Sequence, residues 1–298
     1  MKTTQPHMKK HLSAPGLLQL AKQSFKKIPE NTKRLPGIPL EDCLMCGLAL
    51  FGLKCPSLLQ FDIACRNDEF VKHNLKTLYG VMQVPCDTYM RERLDEVEPH
   101  FLKKSIDAMI AQEQRGKVLE QYRYFDEYCL VAIDASGYFS SNEIHCDSCC
   151  KKNHRDGAVT YYHQMLAAIM VYPGYPTVFP LAIEPIIKED GTSKNDCEHN
   201  AAKRLLKSLR NSHPHLKMLV TLDTLYADGS IIKLLKELDF RFIITARNDD
   251  LKYLFNAYGA CKKEEVFING AKRRYLFSVG LPLNDTHQDC TVNILEQF

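Results

Sequence analysis

The sequence predicts an α/β protein: a mixed sheet of three antiparallel strands, extended by two further strands joined through helices, preceded by an all-α amino-terminal domain. Three observations predict it. Short apolar runs bounded by polar residues recur from Cys129 onward, as strands buried on both faces read. Between the later runs, apolar residues recur at helical spacing. From Glu41 to about Tyr124 the spacing is helical throughout. With 298 residues, 45% of them hydrophobic, the chain can bury a substantial core and favours two domains over one.

The first segment, 1–37, reads as a basic tail and linker. Residues 1–34 hold eight Lys or Arg against Glu30 alone, a charge of +7, which leaves 31 basic and 35 acidic residues, −4, for the rest. A basic arm on a near-neutral body fits a polyanion, double-stranded DNA before a membrane; a merely solvated tail is the alternative. Ser13-Ala14-Pro15 can cap a short helix whose Leu17, Ala21, Phe25 and Ile28 form one face, able to lie on a surface or a phosphate backbone. Three prolines in 29–40 mark the linker.

The second segment, 38–125, reads as a helical DNA-binding domain. Residues 41–53 are apolar almost all round, a core helix; 68–79 place Phe70, Val71, Leu75 and Leu78 on one face and stop at Gly80. Asp87 is a credible cap for a helix with Met90, Leu94 and Val97 buried and Arg91 and Arg93 outward. Two helices with a turn between them resemble a helix-turn-helix reader, with a connection, about 80–86, longer than that motif's usual turn. A plain bundle with solvated arginines is the alternative. A further helix covers about 99–122.

The third segment, 126–298, carries the chemistry. Cys129–Ile133 is a strand that delivers Asp134 at its end, after which Gly137 allows a turn. The segments 158–171 and 177–184 are strands separated by Pro173-Gly174. Asn195-Asp196-Cys197-Glu198 resembles a capping box before a helix with Ala201, Ala202, Leu205, Leu206 and Leu209 on its apolar face. Leu219–Asp223 is an apolar strand that again ends in an acid. A helix over about 229–238 and a strand over Phe240–Thr245 follow. Two buried strands each presenting an Asp at the carboxyl end can bring both carboxylates together, where a divalent cation such as Mg²⁺ offsets their repulsion.

The segments AIDASGYFSS, TYYHQMLAAIMV, VFPLAIEPI, KNDCEHNAAKRLLKSLR and HPHLKMLVTLD resemble DDE-class insertion-sequence transposases, in a group left unclassified among insertion sequences. The likeness runs from about residue 38 to 285. It implies a ribonuclease H-like fold similar to that of retroviral integrases, and two Mg²⁺ ions held by two Asp and one Glu. Asp134 and Asp223 match the first two acids, catalytic and metal-binding. The implied chemistry is water attack at the ends of the element, then strand transfer by the freed 3′-hydroxyl into target DNA. The implied partners are double-stranded element ends and target DNA, with homo-oligomeric assembly on DNA. The family's Glu lies on a helix beyond the fifth strand, after an inserted β-rich segment. Glu264–Ile268 and Arg273–Val279 alternate around Asn269-Gly270 as the hairpin opening that segment. No helix with the third acid is expected after it, and Glu296 sits near a frayed end, so the chain reads as shortened at its carboxyl terminus. Glu198 and Asp228 read as capping residues and Glu184 as a supporting group. A non-catalytic DNA-binding remnant, and a ribonuclease H-like nuclease with Glu198 as the extra acid, are the competing readings.

A second cluster lies in IHCDSCCKKNH. Cys146, Cys149, Cys150 and His154, with His145 or His163 near by, offer soft ligands at spacings that a structural Zn²⁺ accepts; a group of reduced thiols is the alternative. The 12 cysteines otherwise read as reduced, several of them in the core. No apolar run reaches the ~18–20 residues of a membrane helix and no secretory signal opens the chain, so a cytoplasmic protein is expected.

Overall fold

The computed structural model describes residues 12–30, 37–191, 194–267 and 274–297, and the chain divides into two compact units that part between Tyr122 and Arg123. The tail residues 1–11 and the Asn269-Gly270 turn lie outside the described residues.

Unit 1 contains α1 (Ala14–Phe25), α2 (Leu40–Gly52), α3 (Leu58–Asn67), α4 (Glu69–Thr77), α5 (Asp87–Asp95) and α6 (Pro99–Arg115), then a tight turn at Val118–Tyr122. Ser13 caps α1 as its sequence predicts, its hydroxyl accepting the Gly16 N–H at 3.3 Å. The face of α1 does not lie on an outer surface. Ala21, Phe25 and Ile28 are buried in one cluster with Leu44, Met45, Phe61, Leu75 and Met90. Lys22 reaches across to Asp42, 2.9 Å away, and donates to the Gly80 carbonyl. An amphipathic helix beside an apolar α2 gains more from burying that face than from exposing it, so α1 is a core element. Burial also pushes the Cys43 and Cys65 thiols up to about 11, the behaviour of inert core cysteines.

Four expectations for this unit are corrected. Helix α3 is additional to those read from the sequence, and begins where the Ser57 hydroxyl accepts the Gln60 N–H at 3.2 Å. Phe70 is 83% exposed: α4 begins at Glu69, capped by Asp68, and buries Leu75 instead. On α5 the capping position is Cys86 and Asp87 is the first helical residue. Arg91 is exposed as read, but Arg93 turns inward and is 9% exposed, held by Glu30 at 2.9 Å and Glu96 at 3.2 Å. Two carboxylates that converge on one guanidinium offset its desolvation.

Unit 2 is built on a six-stranded mixed sheet: β1 (Cys129–Ser141), β2 (Cys150–Asn153), β3 (Val159–Val171), β4 (Phe179–Ile186), β5 (Met218–Leu222) and β6 (Arg241–Ile244). β1 runs antiparallel to β3 and parallel to β5; β5 runs parallel to β6. On the edge of β3 opposite β1, β2 pairs with Val159–Tyr162 and β4 with Gln164–Met170. Helix α7 (Lys194–Ser212) links β4 to β5, and α8 (Gly229–Glu237) links β5 to β6. Ala201, Ala202, Leu205, Leu206 and Leu209 are fully buried, the apolar face read from the sequence. β1 does not turn at Gly137. The strand continues with a register shift between Gly137 and Phe139, a bulge that leaves Tyr138 unpaired.

After β6 come α9 (Lys252–Ala260) and a three-stranded antiparallel sheet, β7 (Glu264–Phe267), β8 (Arg274–Pro282) and β9 (Thr291–Gln297). Leu254, Tyr258, Leu281, Leu283 and Ile294 form its core with Ile232 of α8. No helix among the described residues is long and apolar enough to cross a membrane.

Candidate active site

The apolar runs before Asp134 and Asp223 put both acids at equivalent places in the sheet. Ala132 of β1 is level with Thr221 of β5, so two residues further on Asp134 comes level with Asp223. Adjacent strands lie ~4.8 Å apart. The backbone at Asp223 is still extended, with φ −82° and ψ −179°, so the alternation of faces carries through to it. Both aspartates are exposed where the preceding Ile133 and Leu222 are buried.

Each carboxylate is oriented by one local hydrogen bond. Asp134 Oδ1 accepts the Ala135 N–H at 2.8 Å. Asp223 Oδ1 accepts the Leu225 N–H at 3.0 Å and so caps a short turn over Thr224–Tyr226. Among the described residues neither has an ion-pair partner. Two negative groups on neighbouring central strands therefore stand at the carboxyl end of β5, with no Lys or Arg paired to either among the described residues.

Behind them stands Tyr226, 1% exposed. Burial holds its phenol well above the usual range, and the charges of Glu198, Asp223 and Asp134 raise it further. The phenol therefore feels the charge of all three carboxylates. Glu198 is not part of a capping box: α7 begins at Lys194, which puts Glu198 beyond the cap, 5% exposed, where it accepts from Gln164 Nε2 at 3.1 Å. The side chains of Asn195 and Asp196 lie outside the described residues. Asp228 is the cap of α8, as read, with Oδ1 accepting from Ser230 at 2.8 Å and Ile231 at 3.2 Å. His199 lies between these groups. Its Nε2 bonds to the Leu225 carbonyl at 2.7 Å, which can only accept, and its Nδ1 is 3.7 Å from Asp228 Oδ2. Glu184 is not at the acids but binds Arg204 Nε at 2.5 Å, and Arg204 also holds Asp190.

The cysteine cluster is divided by the structure. Cys146 Sγ and Cys149 Sγ are 3.6 Å apart, and His163 Nε2 is 3.3 and 3.2 Å from them. Cys150 and His154 do not join them. Cys150 opens β2, where side chains alternate between faces, and its Sγ points to the Ile186 carbonyl at 3.7 Å. His154 Nε2 is taken by Thr160 Oγ1 at 2.8 Å across the β2–β3 hairpin. His145 stacks on Tyr161. His163 belongs to β3, and its signal in sequence was only proximity, since it lies 17 residues beyond Cys146.

Glu296 is fixed rather than frayed: it lies in β9 and accepts the Tyr258 hydroxyl at 3.1 Å. It is held in the second sheet, on α9, and nothing joins it to Asp134 or Asp223 among the described contacts.

No protein-family model matches this chain, and no curated protein matches it. Among solved structures it is similar to a piggyBac transposase determined by cryo-electron microscopy in a synaptic complex with hairpin DNA. The identity is 10% and the TM-score 0.37; the match covers 93% of this chain, which spans 60% of that one. A likeness at this level assigns no residue of this chain a role.

Proposed function

We propose that the chain is a DDE-type DNA transposase whose ribonuclease H-like unit cleaves and joins DNA phosphodiesters with divalent metal at Asp134 and Asp223. One observation carries this reading: two exposed carboxylates, level on adjacent parallel strands, with no cationic side chain paired to either among the described residues. A hard divalent cation suits such a donor set, oxygen-only and uncompensated. Bound there, Mg²⁺ would lower the pKa of an attacking water or 3′-hydroxyl and stabilise the leaving oxygen. The protein's part is orientation. The Ala135 and Leu225 amides each occupy one carboxylate oxygen and leave the other without a hydrogen-bond partner among the described residues. Exposed Arg91 on α5 and Lys26 and Lys27 after α1 suit phosphate contacts on duplex DNA.

A second reading, a ribonuclease H-like nuclease with Glu198 as third acid, is favoured by Tyr226, whose hydroxyl feels all three carboxylates. The two are separated by one assay. Purified protein is given duplex DNA bearing the element's ends, and in parallel an RNA–DNA hybrid, with Mg²⁺ or Mn²⁺. The transposase reading expects cleavage and joining of the DNA, cut at least about a hundredfold in Asp134→Asn and Asp223→Asn, since 1 Å of misplacement already has that effect. Cleavage of the hybrid alone selects the second reading. Binding of DNA with no cleavage of either substrate leaves a DNA-binding remnant and overturns both.

A further inference from the structure

We propose that Cys146, Cys149 and His163 bind one Zn²⁺ ion, which pins the loop following β1 onto β3. The three ligand atoms come from a turn and a strand. Cys149 N–H donates to the Cys146 carbonyl at 3.2 Å and closes the turn, while Cys146 N–H donates to Cys149 Sγ at 3.3 Å. The second of these bonds suits a thiolate, because an amide donor stabilises negative charge on sulfur. His163 enters from β3, opposite Phe139, with its ring parallel to Tyr138 at 5.8 Å and tilted against Phe139 at 5.7 Å. The unpaired residue of the β1 bulge therefore supports the imidazole, as outer groups do around metal-bound histidines.

The distances select metal over a disulfide. Zn–S bonds of ~2.3 Å and Zn–N bonds of ~2.0 Å at tetrahedral angles put sulfurs ~3.8 Å apart and sulfur and nitrogen ~3.5 Å apart. The observed 3.6, 3.3 and 3.2 Å fall short by a few tenths of an ångström, so the ligands need only spread slightly. A disulfide requires ~2.05 Å. Two thiols and an imidazole are soft donors, a set that takes zinc over Mg²⁺ or Ca²⁺. Binding releases the two thiol protons to solvent and leaves His163 neutral, with the Nε2 lone pair on the metal. Cys149 is buried and Cys146 exposed, so the fourth position faces solvent and takes water. The loop is also held by local bonds from Glu143 and Ile144 N–H to Ser141 Oγ at 3.2 and 2.9 Å, by the stacking of His145 on Tyr161, and by Lys188, 41 residues on, which donates to the Asp147 carbonyl at 2.6 Å.

The test reads metal and thiols, not cleavage, so its failure and failure of the Asp134–Asp223 reading are separate events. Full-length protein is purified under reducing conditions, dialysed, and analysed for zinc by mass spectrometry, with circular dichroism confirming a folded sample. The expectation is one equivalent, kept in Cys150→Ser and His154→Ala, lost in Cys146→Ser and His163→Ala, and regained in His163→Cys, which restores a third soft ligand if the His163→Ala loss were misfolding. A cobalt-loaded sample should show a thiolate-to-cobalt charge-transfer band that disappears in Cys146→Ser. Zinc absent from folded wild type overturns the proposal. So does zinc lost in Cys150→Ser or His154→Ala but kept in His163→Ala, or a Cys146–Cys149 disulfide in the freshly reduced protein.

Discussion

Replacing Asp134 by Asn should make the metal-free protein slightly more stable and remove its response to Mg²⁺. The substitution is chosen because Asn keeps the acceptor that Asp134 presents to the Ala135 amide at 2.8 Å, so only charge is removed. With the strands ~4.8 Å apart the two carboxylates lie on the order of 6 Å from one another. Their repulsion in bulk water is ~0.7 kcal/mol, and physiological salt roughly halves it. Relief of ~0.3–0.7 kcal/mol in a unit of this size corresponds to a rise of about 1–3 °C in Tm without divalent ions. Magnesium at ~100 times its Kd stabilises wild type by ~2.7 kcal/mol, about 5–10 °C, because it binds the folded site and not the separated acids of the unfolded chain. The assay is thermal unfolding by near-ultraviolet dichroism with and without Mg²⁺, on wild type, Asp134→Asn and Asp223→Asn. Asn at position 223 still caps the Thr224–Tyr226 turn, so the second variant controls for local structure. Equal Mg²⁺ responses in all three proteins, or an Asp134→Asn variant more than ~1 kcal/mol less stable without metal, would refute the reasoning.

Further outcomes follow from other contacts. Glu198→Ala should cost ~1–3 kcal/mol in chemical denaturation, since it strands the buried Gln164 amide 3.1 Å away, whereas Glu198→Gln should cost less and separate a structural from a catalytic role when both are assayed for cleavage. Arg93→Ala should destabilise unit 1 by ~1–3 kcal/mol by removing a buried side chain together with its ion pairs to Glu30 and Glu96; Arg91→Ala should leave Tm unchanged and lower the salt slope of DNA binding by about one. Gly229→Ala drives a Cβ into the His287 ring, so it should cost ~1–3 kcal/mol and be rescued by His287→Ala. A chain that starts at residue 36 should fail to fold unit 1, because it lacks Ala21, Phe25 and Ile28 of the core.

What the sequence determined by itself was the kind of each element and the chemistry at its end. Apolar runs of five residues at Cys129–Ile133 and 218–222 could only be buried strands, and an acid after each is a local fact that no folding changes. The stripes of α7 and α8, and the Ser13 cap, were legible because helical periodicity and capping act over three or four residues. Tertiary structure decided which of these local features meet. The level placement of Asp134 and Asp223 depends on the register of β1 against β5, some 90 residues apart in sequence, and no local pattern encodes a register. The choice of His163 over Cys150 and His154 came from strand alternation and the β1–β3 pairing, which turn adjacent cysteines to opposite faces while bringing a distant histidine to their sulfurs. Arg93 and Phe70 exchanged their expected places for the same reason: a helix face is buried or exposed according to the neighbour packed on it, and Glu30 and α1 supplied that neighbour from a stretch that read as tail. Burial is a property of pairs of elements, so it becomes definite only when the chain has closed on itself.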